Sequence, residues 1–478
     1  MNLILCQLFS GQKIKMNSKN LSMKKHKLHA ISLFLIVAFI FSLRKETARE
    51  EDNKSKINFS GSVINLKNTC PANAYSSDVA LQWMGMQLEL MRTSSPFIGG
   101  LPPSRLFAYT GIALYECIVP GMPDYQSLSG QLTDMPAMPR TAREFIYHWP
   151  TCANAALATM NRNFFPNTSD SNKAAIKALE EKFNTIYRSE AGNEVFQRSV
   201  KFGQEVAQLI FHWSMTDGYT KANAPYTPPV GRGLWAPTPP AFAAAFGPYW
   251  GNNRLFVRSS LDGTTPSGPP AYSTDPSSDY YKMVKEVYDI SQTLTPDQTA
   301  LALFYRDNPG FGDGHYLSIL KQILEQQKSN LDLTAVVYAN TGIACVDAGI
   351  GCWKTKFRYN QERPVRYIRE VLGHSSWNPL FDTPPFPDFP SGHSTIAGSF
   401  GEILKSFFGN NYHFTDHTYD YLGMTPRPYR SFDELVKEIG DSRVYAGIHY
   451  RYSCEKACEQ GKKIATNILK SLKFKKGK

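Results

Sequence analysis

Helical periodicity dominates this sequence, and strand-like alternation is scarce. Apolar residues recur at three- and four-residue spacing in Leu81–Met91, Leu106–Val119, Lys173–Arg188 and Val195–Trp213. The pattern returns at Tyr280–Ile290, Thr295–Asp307, Tyr316–Gln327, Thr334–Ala348, Thr395–Phe408, Ser431–Ile439 and Glu455–Leu472. A side-chain period near 3.6 commits each segment to one buried helical face. The sequence has no internal repeat, so these faces must bury against one another and the expected fold class is all-α. A chain of 478 residues is long enough for one large core or two coupled ones.

Residues 222–277 break the pattern. They are rich in Pro, Gly and aromatics, as in Tyr226-Thr-Pro-Pro and Leu234-Trp235-Ala-Pro-Thr-Pro-Pro. A stretch this long without helical period is functional or disordered, and its aromatic content favours an ordered loop that wraps a neighbour. The expected organisation is a leader over 1–45, an N-terminal helical region over 46–285 containing the 222–277 excursion, and a catalytic region over 286–478.

Near the start, Met23-Lys24-Lys25 leads into the apolar run Ala30–Leu43, and charge returns at Arg44 and Lys45. The run is shorter than the roughly twenty residues that span a bilayer. It reads as a secretory signal, with an uncleaved membrane anchor as the alternative. The expected location is therefore exported: periplasmic, extracellular, or anchored and facing outward. Of eight cysteines, none forms a CxxC pair, which argues against a zinc ribbon; export would permit disulfides. The net charge of +11 is dispersed, clustering only at Lys15–Lys27 and Lys470–Lys478. Without a binding motif or aromatic–basic stripe this is a solvated surface, and no nucleic-acid partner is expected.

Three short segments carry chemistry. In Lys356-Phe-Arg-Tyr-Asn-Gln-Glu-Arg363-Pro364 the two cations stand seven residues apart, close to two helical turns and nearly on one face. Pro364 disfavours helix at Arg363, so the helix should end or kink there. Alone, this segment reads more readily as a basic surface face. Pro390-Ser391-Gly392-His393 precedes an amphipathic helix, where unpaired backbone N–H groups suit an anion. Ser391 adds a hydroxyl, Gly392 permits close backbone approach, and His393 can carry a proton; a plain helix cap is the bland alternative. Ser442-Arg443-Val-Tyr-Ala-Gly-Ile-His449 adds a guanidinium and a second imidazole. Brought together, Lys356, Arg363 and Arg443 would repel one another unless an anion sat among them. Planar Arg donors and one Lys match the oxygens of a tetrahedral oxyanion.

The set K-x6-RP, PSGH and SR-x5-H resembles the signature shared by type 2 phosphatidic acid phosphatases, bacterial acid phosphatases and vanadium-dependent haloperoxidases. The surrounding sequence is similar to the haloperoxidases in particular. Asp347-Ala-Gly-Ile-Gly-Cys-Trp353-Lys-Thr-Lys356 resembles their run before the lysine, and Asn378-Pro-Leu through Thr383-Pro-Pro-Phe386-Pro-Asp-Phe-Pro390-Ser391 their approach to PSGH. The resemblance covers most of the chain beyond about residue 75. It implies a helical bundle around one site, vanadate as cofactor, and hydrogen peroxide, halide and a small organic acceptor as reaction partners. Residue by residue it implies that Lys356, Arg363, Ser391, Gly392 and Arg443 hold the oxyanion and that His449 binds vanadium. It further implies that His393 takes a proton from peroxide, that Lys356 polarises it, and that Trp353 and Phe386 line the halide side. Asp307, in Leu303-Phe304-Tyr305-Arg306-Asp307, resembles the acid that pairs with an active-site arginine.

Two positions depart from the family pattern. Ser453 stands where an Asp four residues after the terminal histidine is usual, and Glu362 replaces an aromatic before Arg363-Pro364. A carboxylate behind a ligating histidine fixes its tautomer and raises its basicity, so Ser453 bears on every reading of His449. The alternatives are an acid phosphatase using His449 as nucleophile, or a non-catalytic oxyanion-binding homologue.

Overall fold

Small side chains, caps and prolines set the helix boundaries in the computed structural model, which describes residues 70–94, 101–306 and 314–477. The expected leader over 1–45 and Asp307 lie outside the described residues. The N-terminal helices are α1 (Asp78–Thr93), α2 (Pro102–Ile118), α3 (Trp149–Phe164), α4 (Asp170–Ala191) and α5 (Asn193–Ser214). After the excursion come α6 (Asp279–Gln292), α7 (Pro296–Phe304), α8 (Gly314–Gln326) and α9 (Leu331–Tyr359). The chain closes with α10 (Pro364–Glu370), α11 (Gly392–Phe408), α12 (Phe432–Tyr445) and α13 (Arg451–Ser471). Among the described residues, the only named strands are β1 (Phe414–Asp416) and β2 (Arg427–Tyr429), a short antiparallel pair. The fold is all-α, as the periodicity requires.

Caps begin the helices where unpaired N–H groups need acceptors. Ser169, Ser278, Asn330, Ser391 and Ser431 each accept a backbone N–H at the start of α4, α6, α9, α11 and α12. Thr295 and Gln298 form a reciprocal capping box on α7. The sequence pattern misses α3. Trp149 through Asn161 are buried all round and built largely of small residues, so no polar face marks a period. Pro150 in its first turn was the available signal.

Helix α9 is the axis of the core. It runs 29 residues, eleven beyond the expected end at Ala348, and 94% of its most apolar window is buried. Its composition would let it cross a membrane, but here it packs on α2, α11 and α13. The helix runs on through Gly349 and Gly351; Gly351 lies where Leu261 and Ile464 press on it, and a Cβ there would come within 2.7 Å of the Leu261 side chain. The α11–α13 crossing is tighter still. A Cβ on Gly461 would overlap the Thr395 carbonyl oxygen, so only glycine allows the two backbones to meet.

The excursion is ordered and lies along α9. Buried Asp347 accepts the backbone N–H groups of Phe256 (2.8 Å) and Val257 (3.0 Å). Farther along, the Trp235 N–H donates to the Asn360 carbonyl (2.6 Å) and the Glu362 N–H to the Gly233 carbonyl (2.9 Å). These bonds bring Phe246 and Gly247 over Trp353, whose indole N–H donates to the Phe246 carbonyl (3.4 Å).

Candidate active site

The first cation segment folds differently from the two-turn helix expected of it. Helix α9 ends at Tyr359, and Asn360 takes a left-handed conformation (φ 46°) with its N–H on the Lys356 carbonyl. Arg363 follows in extended backbone as the N-cap of α10. Asn360 tolerates that conformation better than most residues, so the chain turns before Pro364 forces it to. Lys356 and Arg363 therefore reach the pocket from a helix end and a connecting segment.

Both are completely buried. Lys356 Nζ donates to the carbonyls of Pro387 (2.9 Å) and Asp388 (2.8 Å). Its ammonium lies 5.6 Å from the Trp353 ring centroid and 5.2 Å from that of Phe386. Burial, with Arg363 adding repulsion, pulls its pKa down to about 8. Arg363 Nε donates to the Phe386 carbonyl (2.8 Å) and Nη1 to the Ile448 carbonyl (2.7 Å). Its Nη2 is buried with no hydrogen-bond partner among the described atoms. Burial draws this guanidinium down to about 10.

Ser391 is the N-cap of α11, accepting the Ser394 N–H (3.4 Å), while its own N–H donates to the Ser453 carbonyl (3.2 Å). Gly392 opens the helix under Trp353; a Cβ there would come within 3.0 Å of the indole. His393 is half-buried in the first turn, and the Tyr316 hydroxyl donates to its carbonyl (3.0 Å). Arg443, in the last turn of α12, is buried and donates from Nη2 to the Ala302 carbonyl of α7 (3.3 Å). Phe386 packs on Trp353 with ring centroids 5.0 Å apart, and Phe246 of the excursion lies 6.4 Å from Phe386.

His449 sits in the turn between α12 and α13, which Gly447 makes with φ 75°. Arg363 Nη1 lies 3.1 Å from its Nε2. Its pKa is held well below the ordinary histidine range by burial first, then by the charges of Arg363, Lys356, Arg443 and His393. Four cationic or protonatable groups from separate segments thus bear on one imidazole. Lys356, Arg363, His393 and Arg443, the residues expected to meet His449, are all near enough to act on its charge.

Sequence reasoning missed Asp388. Its carboxylate is fully buried, with Oδ1 2.8 Å from His449 Nδ1. The Ser453 hydroxyl donates to the other oxygen, Oδ2. Burial raises the Asp388 pKa to about 6, outweighing the opposing pull of Arg363, the Ser453 hydrogen bond and Lys356. The carboxylate absent at position 453 is therefore supplied from the loop before Ser391. The signal was an acid within Phe386-Pro-Asp388-Phe-Pro390, flanked by apolar residues that bury it. Glu362, the second departure, turns away from Arg363: it accepts the Tyr280 hydroxyl (3.1 Å) and lies 3.9 Å from Arg366.

Comparison with known proteins agrees with this arrangement. The family model for the second helical-bundle domain of VCPO matches residues 336–475, which include Trp353 and all of the converging side chains. Vanadium chloroperoxidase of Curvularia inaequalis is 24% identical over an alignment covering 35% of this chain, and the chain spans only 38% of that protein's length. A solved bacterial vanadium-dependent iodoperoxidase is 29% identical, with a TM-score of 0.75 over 84% of this chain and 98% of its own. A bacterial vanadium-dependent chloroperoxidase in its holo form, 15% identical with a TM-score of 0.60 over 80% of this chain and 95% of its own, shares the fold. Fold, motif domain and the convergence on His449 agree: residues 336–475 match the second helical-bundle domain of VCPO, and the chain is similar in fold to the vanadium haloperoxidases.

Proposed function

We propose that this protein is an exported haloperoxidase that holds vanadate at His449 and oxidises halide with hydrogen peroxide. The observation that carries the reading is Arg363 Nη2, a fully buried guanidinium nitrogen without an acceptor beside the His449 imidazole. A buried donor left unpaired is costly, and a tetrahedral oxyanion would satisfy it. Arg363 and Lys356 act on the buried Asp388 carboxylate, Arg443 acts on His449, and Gly392 leaves the cradle without a side chain on its helix end. These residues fit vanadate. Lys356, Arg363, Arg443, the Ser391 hydroxyl and the Gly392 N–H would hold its oxygens, with His449 Nε2 as the ligand to vanadium.

Bound vanadate supplies a Lewis acid that activates peroxide without changing its own oxidation state. The chain supplies the rest. Lys356, fixed by two carbonyls, presents positive charge where peroxide becomes electrophilic. His393 accepts the proton that peroxide must lose and returns it to the leaving oxygen. Trp353, Phe386 and Phe246 form an aromatic wall that limits water on the side from which halide and a small organic acceptor would approach.

A neutral His449 backed by a carboxylate would also serve as a nucleophile toward phosphate esters, and this is the second reading. Purified protein is assayed with and without orthovanadate for peroxide-dependent oxidation of iodide, bromide and chloride, and in parallel for phosphate-ester hydrolysis. Vanadate-dependent halide oxidation is expected. Hydrolysis with no halide turnover would reverse the assignment.

A further inference from the structure

The carboxylate behind His449 comes from an unexpected place, and its surroundings define a role. Asp388 is locked from every side. Its N–H donates to the Gln361 carbonyl (2.9 Å), and its own carbonyl accepts Lys356 Nζ (2.8 Å). Oδ1 meets His449 Nδ1 at 2.8 Å, with Arg363 Nη1 4.0 Å away, and Oδ2 receives the Ser453 hydroxyl. The Ser453 carbonyl in turn accepts the Ser391 N–H (3.2 Å), tying this network to the start of α11. A carboxylate accepts only, so the proton of a neutral His449 resides on Nδ1. That leaves the Nε2 lone pair facing the cradle, where Arg363 Nη1 lies 3.1 Å away.

We infer that Asp388 is the positioning residue for His449, holding it in the Nδ1–H tautomer with Nε2 free to bind vanadium, and that Ser453 is present to hold Asp388. The inference rests on the vanadate reading above. It treats positions 388 and 453 as one unit in which the carboxylate has changed places. Ser453 is then a partner of the acid, and no function is lost by its presence at that position.

The test measures equilibrium binding of orthovanadate and of orthophosphate by calorimetry, with circular dichroism as the folding control. Orthophosphate probes the cradle charges without a bond to imidazole nitrogen. In Asp388→Asn, orthovanadate affinity is expected to fall about ten- to a hundred-fold, the range for partners behind metal-ligating histidines. Orthophosphate affinity in the same variant should hold or rise, because a negative charge has left the pocket. Ser453→Ala should weaken orthovanadate by a smaller factor. The exchange variant, Asp388→Ser with Ser453→Asp, should recover at least about tenfold over Asp388→Ser alone. Should Asp388→Asn fail to fold, Ser453→Ala and the exchange variant decide the matter. Equal losses for both anions, or unchanged orthovanadate binding in every folded variant, would overturn the inference alone. Wild-type protein that binds orthophosphate but no orthovanadate would overturn the vanadate reading as well.

Discussion

Replacing Arg363 by Met tests how the pocket is built. The side chain is wholly buried and spends Nε on the Phe386 carbonyl and Nη1 on the Ile448 carbonyl, leaving Nη2 without a partner. A charge-assisted hydrogen bond contributes about 1.5–3 kcal/mol, and 1.4 kcal/mol is tenfold in affinity. Losing even one such bond to a bound oxyanion should therefore weaken binding about 10- to 150-fold. Without anion, the variant leaves two carbonyls unpaired and takes the cation from buried Asp388, 4.0 Å from Nη1, so the apo variant should melt below wild type. Thermal unfolding reads both terms. At an oxyanion concentration of about 100 times the wild-type Kd, wild type gains ~2.7 kcal/mol. A variant bound about a hundredfold more weakly gains ~0.4 kcal/mol under the same conditions. Equal stabilisation of Arg363→Met and wild type by orthovanadate would refute the placement of the anion against Nη2.

Other perturbations have defined outcomes. Burial carries Glu362 from 4.5 to about 7, so its folded state binds a proton more tightly than its unfolded state. The cost, at most ~3 kcal/mol, is fully present above pH 7 and disappears as pH falls toward 4.5. Glu362→Gln keeps an acceptor for Tyr280 and should stabilise the protein at pH 8 but not at pH 4.5, measured by urea unfolding. Gly461→Ala places a methyl against the Thr395 carbonyl at the α11–α13 crossing and should cost at least about 1–3 kcal/mol with an unchanged m-value. His393→Ala should impair halide turnover far more than orthovanadate affinity; equal loss of both would contradict its acid–base role.

Much of the fold was legible because most helices here are amphipathic, and periodicity reports an exposed face. Where no face is exposed the signal fails. Helix α3 is buried all round, and α9 continues through Gly349 and Gly351 because tertiary packing outweighs a propensity cost of about 1 kcal/mol per glycine. The site followed a similar rule. Lys356, Arg363, Ser391, Gly392, His393, Arg443 and His449 stand at motif spacings, so the sequence names them. Asp388 has no such spacing to His449, 61 residues away. Its role depends on a loop folding back under the α12–α13 turn. The same holds for Asp347, whose carboxylate anchors the excursion by accepting N–H groups 90 and 91 residues away. Long-range pairs of this kind are set by tertiary structure.

The most direct measurement is a crystal structure of the protein soaked with orthovanadate, with anomalous difference density collected at the vanadium edge. A single vanadium peak is expected at coordination distance from His449 Nε2, enclosed by Lys356, Arg363, Ser391, Gly392 and Arg443. Density that avoids His449, or an empty cradle under saturating orthovanadate, would contradict the account.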